Sequence, residues 1–218
     1  MSHAEESVHA EIRRRAAAAV AVVFDLDGVV REFGPATTQT VAAEVGLEPQ
    51  EFLALAFAED LLEPVITGRR TFAAWCGLIR DELVARGAAA ATAEGAVRSW
   101  VADRGTPVAE TVALMAELQA SGTAVFVFTN GTDNIPAELR QIGLGHLVDV
   151  VLNSAVLGFR KPHPEAYAAA HAALEAHLRR SIDRPDVLFT DDRISNVEGA
   201  ARFGWQAVHF DAGVATDV

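Results

Sequence analysis

Apolar positions along the chain fall into two patterns. Unbroken runs occur at VAVVFDL (residues 20–26), AVFVFT (124–129), LVDVVLN (147–153), DVLFTD (186–191) and QAVHF (206–210). Runs that are short, β-branched and continuous, not alternating, predict strands covered on both faces, as in a parallel sheet. Between them apolar residues recur at helical spacing. PVAETVALMAELQASG (107–122) ends on Gly122, a natural C-cap. PEAYAAAHAALEAHLRR (164–180) opens on proline and closes on arginines, which complements the helix dipole. SNVEGAARFG (195–204) takes Ser195 as its N-cap. Strand and helix in alternation predict an α/β fold with a doubly wound parallel sheet.

Residues 34–105 break that rhythm. TTQTVAAEVG, PQEFLALAFAEDLL, TFAAWCGLIRDELVARG and TAEGAVRSWVADRG all read as helices, with no strand among them. Gly34-Pro35 and Gly105-Thr106-Pro107 bracket the segment as turns. The division predicted is therefore a catalytic core from residues 1–33 and 106–218, and a small all-helical cap at 34–105 hinged near Gly34 and Gly105.

Charge and composition narrow the partners. The formal net charge of −12 argues against nucleic acid or an anionic membrane surface, which both attract basic patches. A single cysteine, Cys76, excludes an internal disulfide and fits a cytoplasmic home. RRRAAAAVAVVF has the basic start and apolar run of a signal peptide, but the run stops at Asp25 without a small-residue cleavage site. Residues 1–18 are read as a polar, partly helical lead-in. His163, His171 and His177 lie on or beside one helix and are read as surface residues.

In doubly wound sheets ligands bind beyond the carboxyl ends of the strands. Those ends carry Asp25-Leu26-Asp27-Gly28, Thr129-Asn130-Gly131, Arg160-Lys161-Pro162 and Thr190-Asp191-Asp192. Carboxylates there are costly unless a cation meets them. Lys161 is the single lysine among 18 Lys and Arg residues. A chain so biased towards arginine uses lysine where a compact ammonium is wanted and a planar fork is not.

Four motifs in order, DLDGV (25–29), TNG (129–131), RKP (160–162) and TDD (190–192), resemble those of the haloacid dehalogenase superfamily, in its phosphatase branch with a cap after the first motif. The resemblance implies a Rossmann-like core and hydrolysis of a phosphate monoester through an aspartyl-phosphate. By it, Asp25 is the nucleophile and Asp27 the acid/base. Thr129 and the backbone N–H of Asn130, before Gly131, hold phosphate oxygens, and Lys161 neutralises both Asp25 and the phosphate. Mg²⁺ is the implied cofactor, held by Asp25, the Asp27 carbonyl and Asp192, with Asp191 acting through water. Many relatives carry a further aspartate where Asn196 stands here, which leaves this site one charge less negative. Asn196 is expected to bond a metal water or Lys161.

Within the superfamily, Asp27 argues against a dehalogenase, which protonates no alkoxide. A cap without lysine argues against a phosphonatase. A sugar-phosphate mutase keeps both aspartates and stays open, as does a non-catalytic binding module on the same fold. The expected partner is a small phosphorylated metabolite, such as a sugar phosphate, with residues 57–75 contacting it. The oligomeric state is not legible.

Overall fold

A computed structural model describes residues 7–211. Along the chain run α1 (Val8–Ala16), β1 (Ala21–Phe24), β2 (Arg31–Glu32), α2 (Ala36–Glu44), α3 (Pro49–Ala56), α4 (Glu59–Ile66), α5 (Phe72–Ala85), α6 (Ala90–Ala102) and β3 (Thr106–Pro107). There follow α7 (Ala109–Ala120), β4 (Ala124–Thr129), α8 (Ile135–Gln141), β5 (Val151–Asn153), α9 (Ser154–Leu157), α10 (Pro164–Leu178), β6 (Val187–Asp191), α11 (Ile194–Phe203) and β7 (Gln206–His209). The first six residues of the expected lead-in lie outside the described residues.

The five long runs form one parallel sheet in the order β5-β4-β1-β6-β7. Its central strand shows why continuous runs are needed. Val22 and Phe24 of β1 face Leu114 of α7 and Leu139 of α8, whereas Ala21 and Val23 face Tyr167 and Leu174 of α10. Each residue in turn meets a covered face, so neither set tolerates polarity. Helices α2–α6 pack on one another around a separate core that includes Phe52, Trp75 and Ile79.

Four expectations are corrected. Of LVDVVLN only Val151–Asn153 is strand; Gly145–Val150 is a 3₁₀ turn, since this edge strand pairs with Val127–Thr129 alone. The two linkers of the helical segment are not bare turns: Arg31–Glu32 and Thr106–Pro107 pair antiparallel as a short ribbon. Ser195 lies inside α11, whose N-cap is Arg193. His171 is half-buried, accepting from the Trp205 indole at 3.1 Å and donating to the Ile182 carbonyl at 3.1 Å.

Candidate active site

The carboxyl edge of the sheet gathers the motif residues. Asp25 extends β1, its amide donating to the Thr190 carbonyl at 2.8 Å. The chain then turns at once, with the Val30 amide on the Leu26 carbonyl at 2.9 Å and Gly28 at φ +86°. A Cβ on Gly28 would lie 2.5 Å from Asp192 Oδ2. Glycine is required there both for the left-handed backbone and for the close approach of the loop to Asp192.

Lys161 stands at the centre, 2% exposed. Its ammonium donates to Asp25 Oδ1 at 2.8 Å, Asp191 Oδ2 at 2.6 Å and the Phe128 carbonyl at 2.7 Å. Three donors meet three acceptors, which a lysine satisfies and a guanidinium fork does not. The Phe128 and Phe189 rings lie 5.0 and 5.2 Å from the nitrogen. Burial opposes the charge on Lys161, but Asp25 and Asp191 outweigh it and hold the ammonium above its ordinary range. Burial likewise pushes the Asp25 carboxyl up to about 7, with Lys161 opposing and Asp191 adding to the rise. Asp192 is raised by burial and by Asp191 beside it.

Asp25, Asp191 and Asp192 each bring a carboxylate oxygen into a cluster within 4.8 Å. Hard oxygen donors so close are suited to a hard divalent cation such as Mg²⁺, and the cluster fits one. Asp191 is the most committed of the three. Its oxygens accept from Lys161, from Asn196 Nδ2 at 3.0 Å each, and from the Arg193 amide at 2.9 Å. Asn196 thus serves Asp191 and not Lys161, which corrects one expectation.

Asp27 stands apart from the cluster. Its side chain, 48% exposed, accepts from Arg31 Nε at 2.5 Å. Arg31 is itself buried and donates to Glu138 at 2.9 Å; Glu138 also takes bonds from Arg104 at 3.2 Å and Asn134 at 3.0 Å. No motif in the sequence announces this Arg31–Glu138 relay. Its signals were an arginine four residues after Asp27 within the run VVREF, and a glutamate on an inward face of IPAELRQ. Thr129 is buried at the end of β4, while Asn130 and Gly131 line the adjoining cavity together with Asp27. Asn130 does more than expected: its amide donates to the Lys161 carbonyl at 2.9 Å and accepts from the Lys161 amide at 2.8 Å. The expected contact segment 57–75 supplies Phe57, Leu62, Ile66, Phe72 and Trp75 to the same cavity; Arg69 instead pairs with Glu63.

The family model for haloacid dehalogenase-like hydrolases matches residues 20–204. The chain belongs to that family. Among curated proteins it is 32% identical over 117 residues to a sesquiterpene phosphatase of Aspergillus oryzae, covering 50% of this chain and 54% of that one. It is 37% identical over 97 residues to a phosphatase of Mycobacterium tuberculosis, covering 44% and 42%. It is 31% identical over 102 residues to a ribulose-1,5-bisphosphate 5-phosphatase of Halopiger xanaduensis, covering 46% and 41%. The matches thus span about half the length of these relatives. Among solved structures, a family enzyme of Bacteroides thetaiotaomicron in complex with magnesium and inorganic phosphate aligns with a TM-score of 0.67 at 17% identity, covering 91% and 98%. The L-2-haloacid dehalogenase of Xanthobacter autotrophicus aligns at 0.61 and 20% identity, covering 88% and 77%. At such identities the likeness is one of fold.

Proposed function

We propose that the chain is a Mg²⁺-dependent phosphatase that hydrolyses a small phosphate monoester through an aspartyl-phosphate. The observation that carries this is the buried Lys161 ammonium between Asp25 and Asp191, which balances a carboxylate that must attack an anion. The curated relatives are phosphatases of unlike organic groups, so the phosphate is what they share.

Asp25 attacks phosphorus, forming a P–O bond as the ester P–O bond breaks. Asp27 gives its proton to the departing alkoxide. It then takes a proton from the water that attacks phosphorus and frees Asp25. Arg31 holds Asp27 at the mouth of the site. The Thr129 hydroxyl and the backbone N–H of Asn130 hold phosphate oxygens, and Lys161 keeps the net charge low enough for an anion to approach. Asp25, the Asp27 carbonyl and Asp192 would hold Mg²⁺, with Asp191 reaching it through water, and the bound ion would neutralise phosphate charge. Residues 34–105 act as a lid, flexing near Gly34 and Gly105 to exclude water. The free Cys76 suits a reducing cytoplasm; among the described residues no helix is long and apolar enough to cross a membrane.

Hydrolysis of p-nitrophenyl phosphate tests the reading. Turnover should require Mg²⁺ and fall by about 10³-fold or more in Asp25→Asn. Asp27→Asn should slow phosphoenzyme breakdown and penalise poor leaving groups most. An active Asp25→Asn protein would end the assignment.

A further inference from the structure

The cavity above the phosphate end has a volume of about 580 Å³, within the range of small-molecule sites. It runs from Asp27, Asn130 and Gly131 on the core to the inner side of α2–α6. The larger part of that inner side is apolar. Phe57 stacks on Trp75 at 6.1 Å and meets Trp100 edge-on at 5.6 Å; Phe72 lies 5.9 Å from Trp75. Phe33 and Leu53 extend the apolar wall.

Most of the polar groups in the wall have other work. The Trp75 indole N–H donates to the Ala56 carbonyl at 3.0 Å, and that of Trp100 to the Thr38 hydroxyl at 3.3 Å. Asp103 accepts from Thr37 at 2.7 Å and from the Gly105 amide at 2.9 Å. Arg104 donates to Gln141 and Glu138 and lies over the Phe72 ring at 5.6 Å. Gln39 and Gln50, both exposed residues, line the cavity on the side of α2 and α3 and are the uncharged amides a ligand could reach there. A polyhydroxylated group entering this space would give up its bonds to water and find few replacements, whereas a hydrocarbon would gain from every methylene covered.

We infer that the site takes the monophosphate of an apolar alcohol, alkyl, prenyl or aryl, in place of the sugar phosphate expected from the sequence. The inference rests on the phosphate-ester reading above for the position of the phosphate, and on the aromatic wall for the rest. Phe57, 48% exposed, belongs to that wall without being part of the buried core of the helical segment.

Two measurements test it. With Mg²⁺, kcat/KM should rise about 2- to 4-fold per methylene from ethyl to hexyl phosphate, and glucose 6-phosphate should fall roughly 100-fold or more below hexyl phosphate. In Phe57→Ser the hexyl-to-ethyl ratio should drop about tenfold. Separately, and without turnover, quenching of tryptophan fluorescence should show octylphosphonate binding roughly 100-fold or more tighter than ethylphosphonate. A flat chain-length series with p-nitrophenyl phosphate still hydrolysed, or equal binding of the two phosphonates, overturns the apolar assignment alone. Absence of turnover on every ester, with octylphosphonate bound tightly, instead overturns the phosphatase reading and leaves the apolar site standing.

Discussion

At the residue scale the site depends on a few positions where one atom more or less decides the chemistry. Gly28→Ala would place a methyl 2.5 Å from Asp192 Oδ2 on a backbone at φ +86°. If the proposed Mg²⁺ site holds, we expect folded protein whose Mg²⁺ requirement rises about tenfold or more, read from activity against Mg²⁺ concentration; an unchanged requirement would remove Asp192 from that proposed site. Asn196→Asp would exchange two hydrogen bonds to Asp191 for a facing carboxylate. It should cost about 1–3 kcal/mol in urea unfolding without metal. His9 supplies a pH effect remote from catalysis. It is buried against Phe210, its ring 2.9 Å from the Thr111 hydroxyl and 3.5 Å from Glu110. Burial holds its pKa below the ordinary 6.5, against the pull of Glu110 and with Arg13 adding to the lowering. The unfolded chain therefore binds more protons below about 6.5, so stability falls on acidification through that range. His9→Gln should lose less melting temperature between pH 7 and 5.5 than the natural chain; equal losses would contradict the buried, neutral ring. The motif carboxylates and Lys161 were legible because strand ends are recognisable and unpaired charge there demands a partner. Arg31, Glu138 and the service of Asn196 to Asp191 were not, because each depends on which side chain a turn or a helix face brings into reach.

At the element scale, what the sequence revealed was periodicity and what it concealed was pairing. Continuous apolar runs located the strands of a sheet covered on both faces, and Gly122 at φ +88° closes α7 as its position suggested. The β2–β3 ribbon escaped notice because two-residue strands carry no period. The edge strand is shorter than its apolar run because Leu147, buried in the core, is held there by a 3₁₀ turn instead of a ladder. One pairing has a direct consequence. The side chain of Asn130, just after β4, clasps both backbone groups of Lys161 in the loop before α10. This clasp fixes the root of the lysine whose tip bridges Asp25 and Asp191. Asn130→Ala should remove about 1–3 kcal/mol of stability and lower kcat roughly 10- to 100-fold, since the ammonium loses its fixed origin. Asn130→Asp keeps the acceptor and should restore part of the stability. Equal stability of all three proteins in urea would show that the loop is held by other contacts.

At the scale of the whole molecule, the helical segment and the sheet each have a core, and what joins them is a small set of polar and backbone contacts. The Phe72 amide donates to Asp133 at 2.7 Å, and Glu59 pairs with Arg160. Gly68, at the end of α4, lies so near α9 that a Cβ would sit 2.1 Å from the Ala155 carbonyl oxygen. A net charge of −12 gives the two halves no general attraction, so such local contacts hold them together. Gly68→Ala would act as a wedge at this contact. Because Gly68 has φ +74°, the substitution also carries the ordinary strain of a left-handed alanine, about 1–2 kcal/mol. Gly87 separates the two effects: it has φ +102° with nothing within 4 Å of its Cβ position, so Gly87→Ala imposes the strain without the wedge. Both variants should lose comparable stability to strain, but only Gly68→Ala should raise KM for a phosphate ester and enlarge the radius of gyration in solution scattering. If the two variants changed KM alike, the position of the aromatic wall over Asp25 would not depend on the α4–α9 contact, and the ribbon of β2 and β3 together with the Phe72–Asp133 and Glu59–Arg160 contacts would be left to set it.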